Sequence, residues 1–162
     1  MIDAAYLASA YDRNVRIINM QTEGLTHEES LIQLPFRANC MNWIVGHLVT
    51  NRNNVLKLLK AEDHIDPVSL DQYVRDSDPL TADSTDALPL EQLIHLLEAA
   101  QMNISKILEE IPSDQVQRKV EFFGNTEMTV GEWLLFFFFH DSYHTGQAEI
   151  LRQAAGRDDK VI

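Results

Sequence analysis

His140 and His144 stand four positions apart in the segment Leu-Phe-Phe-Phe-Phe-His-Asp-Ser-Tyr-His-Thr-Gly-Gln. On a helix that spacing puts both imidazoles on one face, roughly 5–6 Å apart at Cβ, close enough to share one metal ion. A third histidine, His47, falls on the apolar stripe of a separate helical segment, Asn-Trp-Ile-Val-Gly-His-Leu. Three neutral nitrogen ligands from two helices would leave a coordination position open, which is the pattern of a catalytic metal rather than a structural one.

Neutral imidazoles suit Zn, Ni, Fe or Cu better than Mg or Ca. Such an ion lowers the pKa of water or stabilises a thiolate, which gives either hydrolysis or thiol transfer a physical basis. Asn51 lies one turn beyond His47 and Gln147 one turn beyond His144, so each can hydrogen-bond a ligand ring from outside, or make an ordinary bond between helices. Asp141 is rotated by about 100° from His140 on an ideal helix and falls outside the ligand set. The competing reading makes His140 and His144 core histidines bonded to Tyr, Asn or Gln, with His47 unrelated. Three inward imidazoles are hard to satisfy one by one in an aliphatic interior, and one ion would satisfy them together.

The elements that must position these residues are helical. Asp3 caps a first long helix to about Met20, with Ala4, Ala8, Tyr11, Val15 and Ile18 inward. Thr26 and Glu29 have capping-box spacing and open a short turn before Pro35, which leaves His27 on an exposed connector. Asn39 is the expected cap of a second long helix over about 40–60, with Cys40, Ile44, His47, Leu48, Asn51, Val55 and Leu59 inward. A third starts at Pro89 as its first residue and turns Leu90, Leu93, Leu97, Ile104, Ile107 and Ile111 inward, leaving His95 in solvent. Thr129 and Glu132 form another capping box for the fourth long helix, which runs to about Ala155 before Gly156 and carries Trp133, Phe137, His140, His144, Ala148 and Leu151 inward.

Between these helices, Val120–Met128 contains a Gly-Asn turn and is expected to form a small hairpin. The stretch from Ala61 to Leu88, which includes His64, is long and acidic, with room for one short helical turn. A connection of that length suggests a crossover along a bundle, making the second and third long helices parallel and the second and fourth antiparallel. His47 and the His140/His144 pair then reach the same depth.

The fold expected is all-α, a single domain over 1–162, with few glycines and prolines to interrupt it. A formal charge of −12 without a basic cluster disfavours nucleic acid. Neither a secretory signal nor an apolar run long enough for a bilayer is visible, so no membrane association is expected. The single Cys40 agrees with a cytoplasmic location and reads as a small buried residue rather than a nucleophile. Phe136–Phe139 point around nearly the whole helix, more than one core can cover, so a homodimer through the fourth long helix is expected.

The residues around Trp43, Gly46 and His47, with His140, His144 and Gln147, resemble the two histidine motifs of the DinB-like family of metal-binding four-helix bundles, over most of the chain. The resemblance implies up-down-down-up connectivity, a divalent metal on His47, His140 and His144, and commonly a dimer; with the ligand chemistry, Zn, Ni or Fe is the expected ion. Some relatives are thiol-dependent transferases or isomerases using low-molecular-weight thiols. The leading expectation is therefore a metal-dependent enzyme acting on a small-molecule or thiol substrate, as a thiol S-transferase. A metal-dependent hydrolase and a noncatalytic small-molecule-binding stress-response bundle are the alternatives.

Overall fold

The computed structural model describes residues 3–61, 70–124 and 126–161. Asp3 opens α1 (Ala4–Thr22) by accepting the Tyr6 amide N–H at 3.1 Å, so an otherwise orphaned donor of the first turn is satisfied. Leu7, Ala8, Tyr11, Val15 and Ile18 are buried along one side. The short α2 (His27–Ser30) follows with its capping box made in both directions, Thr26 to the Glu29 amide and Glu29 back to the Thr26 amide. His27 is half-buried there rather than exposed.

α3 (Met41–Leu58) departs from expectation at its start. Cys40, not Asn39, is the N-cap, and it makes no side-chain capping bond. Its sulfur is fully buried, and that burial pushes the thiol pKa up, which leaves an unreactive packing residue. The first half of α3 is buried on every side from Met41 to Val49 instead of along one stripe. The cause is the connection after it, whose Tyr73 and Leu80 fold into the same core cluster as Trp43, Ile44 and Leu48. A one-turn 3-10 helix at Asp71–Tyr73 supplies the local turn expected in this connection. His64 lies outside the described residues.

α4 (Leu90–Glu110) has Pro89 as its N-cap rather than its first helical residue. Leu90, Leu93, Leu97 and Ile104 face inward as expected, whereas Ile107 and Ile111 are half-buried and Leu108 takes the inward place. At 3.6 residues per turn the buried line runs through Leu97, Ala100, Gln101, Ile104 and Leu108, and Ile107 sits beside it. A short α5 (Ser113–Gln117), not anticipated, leads into the hairpin of β1 (Lys119–Glu121) and β2 (Glu127–Thr129). The strands are antiparallel, with Val120 opposite Met128. Gly124 has φ +59°, a left-handed turn position, while the Asn of the expected Gly-Asn turn lies outside the described residues.

α6 (Val130–Ala154) begins with the Thr129/Glu132 capping box and ends at Gly156, whose φ of +81° closes the helix. The four long helices form a ring of contacts in which α4 and α6 each pack on both α1 and α3. Contacts between α1 and α6 climb together, from Tyr11 against Leu134 to Gln21 against Arg152. Those between α3 and α6 run in opposite senses, from Trp43 against His144 to Arg52 against Asp141. Among the described residues, no helix is long and apolar enough to cross a membrane.

Candidate metal centre

α3 delivers His47 and α6 delivers His140 and His144 to one point, midway along the bundle. Nε2 of His140 lies 3.3 Å from Nε2 of His47 and 3.3 Å from Nε2 of His144. Donor atoms of all three rings fall within 4.8 Å of one another, a spread that can hold a metal ion. Nitrogens bound at about 2.0–2.1 Å around a tetrahedral ion sit roughly 3.3 Å apart, so the donor set fits a transition metal in spacing as well as in chemistry. His47 and His144 are buried, and His140 is partly open.

The His47 ring is held from two directions. His47 Nδ1–H donates to the Tyr73 carbonyl at 2.7 Å, which leaves a lone pair on the converging Nε2. Trp43 stacks on the imidazole at 4.5 Å between centroids and is itself fixed by its indole N–H to Ser77 Oγ at 2.9 Å. Tyr73 is clamped in turn: its hydroxyl donates to Asn42 Oδ1 at 3.0 Å and accepts the Leu88 amide N–H at 2.8 Å. Burial pushes the Tyr73 phenol up to about 12, so it remains a neutral donor. Gly46 makes this packing feasible, because a methyl there would overlap the Tyr73 ring.

The other two rings differ in their outer partners. His144 Nδ1–H donates to Gln147 Oε1 at 2.8 Å, which also leaves its Nε2 lone pair facing the centre. His140 Nδ1 instead meets the Asn51 amide nitrogen at 3.2 Å. Desolvation, with the neighbouring histidines second, lowers His144 to about 4, and desolvation lowers His47 in the same direction. Both rings are therefore neutral at pH 7, the state a metal ligand needs.

A family model described as the DinB superfamily matches residues 10–148, a span that contains all three histidines and Gln147. The chain belongs to the DinB superfamily. A crystal structure of a conserved protein from Enterococcus faecalis superposes with a TM-score of 0.73 at 15% identity, covering 96% of this chain and 98% of that one, and so shares its fold. No curated protein matches the sequence.

Within this DinB-superfamily bundle, the histidines singled out by spacing come together, and Asn51 and Gln147 each touch a ring as that spacing allowed. His95 is exposed on α4 beside Glu91 and Glu98, away from the centre. Tyr73 and Arg52 escaped sequence reasoning, and Asp141, outside the ligand set as its rotation predicts, is paired. Tyr73 sits in the acidic connection, where no periodicity marks it. Arg52 and Asp141 form a buried ion pair between α3 and α6 directly behind His140. A cation one residue past Asn51 and an acid one residue past His140 were the available signal for that pair.

Among the described residues, one side of the centre is open. His47, Asn51 and His140 line a cavity of about 660 Å³ whose walls include Phe123 and Phe136 and whose rim carries Lys57. The volume suits a small organic molecule with an apolar portion.

Proposed function

We propose that this DinB-superfamily protein is a metal-dependent enzyme in which His47, His140 and His144 hold a divalent transition metal of the Zn, Ni or Fe group, and that it acts as a thiol S-transferase. The observation that carries the reading is the convergence of three imidazole Nε2 atoms beside a cavity that reaches two of the rings. When bound, the ion would supply the positive charge that turns a thiol, or water, into a nucleophile near neutral pH. The chain's own groups do the rest. Tyr73 O and Gln147 Oε1 fix the tautomers of His47 and His144, Trp43 stacks on the His47 ring and restricts its rotation, and the phenylalanine walls offer an apolar surface to a substrate.

Connectivity supports the same reading. We propose up-down-down-up connectivity: α1 and α6 contacts climb together, α3 runs opposed to α6, and the Asn42 amide donating to the Leu88 carbonyl sets the starts of α3 and α4 side by side. We assign the whole chain to one domain of cytoplasmic location. We also propose a homodimer through α6: Leu135, Phe139, Tyr143 and Ile150 form an exposed apolar line along that helix, and Gly146 within it has open space around its Cα.

Assaying the metal-loaded protein against electrophilic small molecules with and without low-molecular-weight thiols tests the activity. Turnover that requires the thiol supports the transferase, turnover with water alone assigns a hydrolase, and metal binding with neither assigns a noncatalytic binding bundle.

A further inference from the structure

His47 and His144 each present Nδ1–H to an oxygen, but His140 does not. The Asn51 amide nitrogen lies 3.0 Å from the His47 carbonyl oxygen and 3.2 Å from His140 Nδ1. A carbonyl oxygen only accepts, so the contact with His47 O identifies the Asn51 group as the NH2, and that NH2 donates to His140 Nδ1. The neutral His140 ring then carries its proton on Nε2, at the centre of the group, where the lone pairs of His47 and His144 receive it. This network is satisfied without an ion, and it blocks the third ligand.

Coordination through His140 Nε2 requires that proton to leave the centre. In the neutral ring it moves to Nδ1 of the same imidazole, with no change in net charge, and there it needs an acceptor. Asp141 Oδ1 is 4.0 Å from His140 Nδ1, fully buried, and without a hydrogen-bond partner among the described residues, while Oδ2 of the same carboxylate is held by Arg52. A buried carboxylate oxygen left unpaired is costly, and one aimed beside a ligand ring is placed to be paired when the ring changes tautomer. The guanidinium of Arg52 is itself stacked 4.7 Å over the Tyr11 ring, so the carboxylate is anchored from behind.

We propose that Asp141 is the positioning residue for the third ligand: ion binding shifts His140 from its Nε2–H to its Nδ1–H tautomer, and Asp141 Oδ1 takes the new hydrogen bond. The inference rests on the three-histidine metal reading and assigns to Asp141 a role that is not ligation. An asparagine at 141 would turn its oxygen to Arg52 and its N–H toward His140, which opposes the required tautomer.

The test combines zinc titration of chelator-treated protein with nitrogen-15 NMR of the histidine rings. In the wild type, His140 is expected to be protonated at Nε2 without zinc and at Nδ1 with it, while His47 and His144 stay protonated at Nδ1 throughout. Asp141→Asn should bind zinc about 10–100-fold more weakly, whereas Asn51→Ala removes the donor that holds the zinc-free tautomer of His140 and should bind zinc more tightly than the wild type. Wild-type protein that takes up no zinc overturns the metal reading itself. Zinc uptake by the wild type with equal affinity in Asp141→Asn overturns the role of Asp141 and leaves the metal centre standing. A tenfold loss in Asn51→Ala overturns it too, by assigning the acceptor to a rotated Asn51 amide. Should Asp141→Asn fail to fold, the wild-type spectrum still decides, because zinc-free His140 protonated at Nδ1 contradicts the proposal.

Discussion

The two sides of α6 face opposite demands. Inward, His140, Asp141, His144 and Thr145 place polar atoms against α3, and they are held by Asn51, Arg52, Gln147 and the helix backbone. Outward, Leu135, Phe139, Tyr143 and Ile150 lie in solvent, with Phe139 71% exposed. A buried polar side must be matched group by group, so His140 and Asp141 each constrain a partner on α3 while His144 and Thr145 are matched within α6. An exposed apolar side asks little of the other helices, and the proposed dimer is what would cover it.

If that contrast is right, damage to the inner side is the most severe. Arg52→Ala leaves the Asp141 carboxylate buried without its cation and should destabilise the protein by about 3–5 kcal/mol, measured by urea denaturation. Conservative loss of charge on both partners together should cost less than the single change, which a double-mutant cycle reads directly.

Acid should act on the same side. His144 is lowered to about 4 from 6.5, so between those values the unfolded chain binds a proton that the folded chain refuses. Stability of the metal-free protein therefore falls as pH drops through this window, by on the order of 3 kcal/mol from this ring, and does not change above it. His144→Leu should remove this part of the pH dependence, visible as a smaller difference between denaturation midpoints at pH 7 and pH 4.5.

Gly46→Ala reaches the centre indirectly. The added methyl must displace the Tyr73 ring, whose carbonyl holds His47. A cost of about 1–3 kcal/mol is expected, together with weaker zinc binding. An alanine variant with unchanged melting temperature and unchanged zinc affinity would show that the strap at Tyr73 yields freely.

The outer side should respond least in stability and most in assembly. Phe139→Ser is expected to shift unfolding by no more than about 0.5 kcal/mol, while converting a dimer to a monomer in light scattering. A wild type that is already monomeric at high concentration removes the dimer.

Much of this was legible from residue spacing because the relevant period is local. The capping boxes at Thr26 and Thr129, the hairpin before α6, and the alignment of His140 with His144 all depend on residues three to ten apart in the chain. The convergence of His47 with them was readable too, since it follows from an inward stripe and a long connection. What the sequence concealed is tertiary. The burial of α3 on all sides, and the anchoring of His47 by Tyr73, depend on a 3-10 turn in an acidic segment without periodicity. Helix α3 starts one residue past the expected cap, with the fully buried Cys40 in the cap position. The Arg52–Asp141 pair hid because each charge, taken alone, resembles a solvated residue.

The most direct measurement is the metal content of protein purified without an affinity-metal step and then supplied with zinc. Close to one equivalent per chain is predicted for the wild type and for His27→Ala and His95→Ala, with almost none for His47→Ala, His140→Ala or His144→Ala. Metal retained after any of those three replacements, or absent from the wild type, would contradict the account.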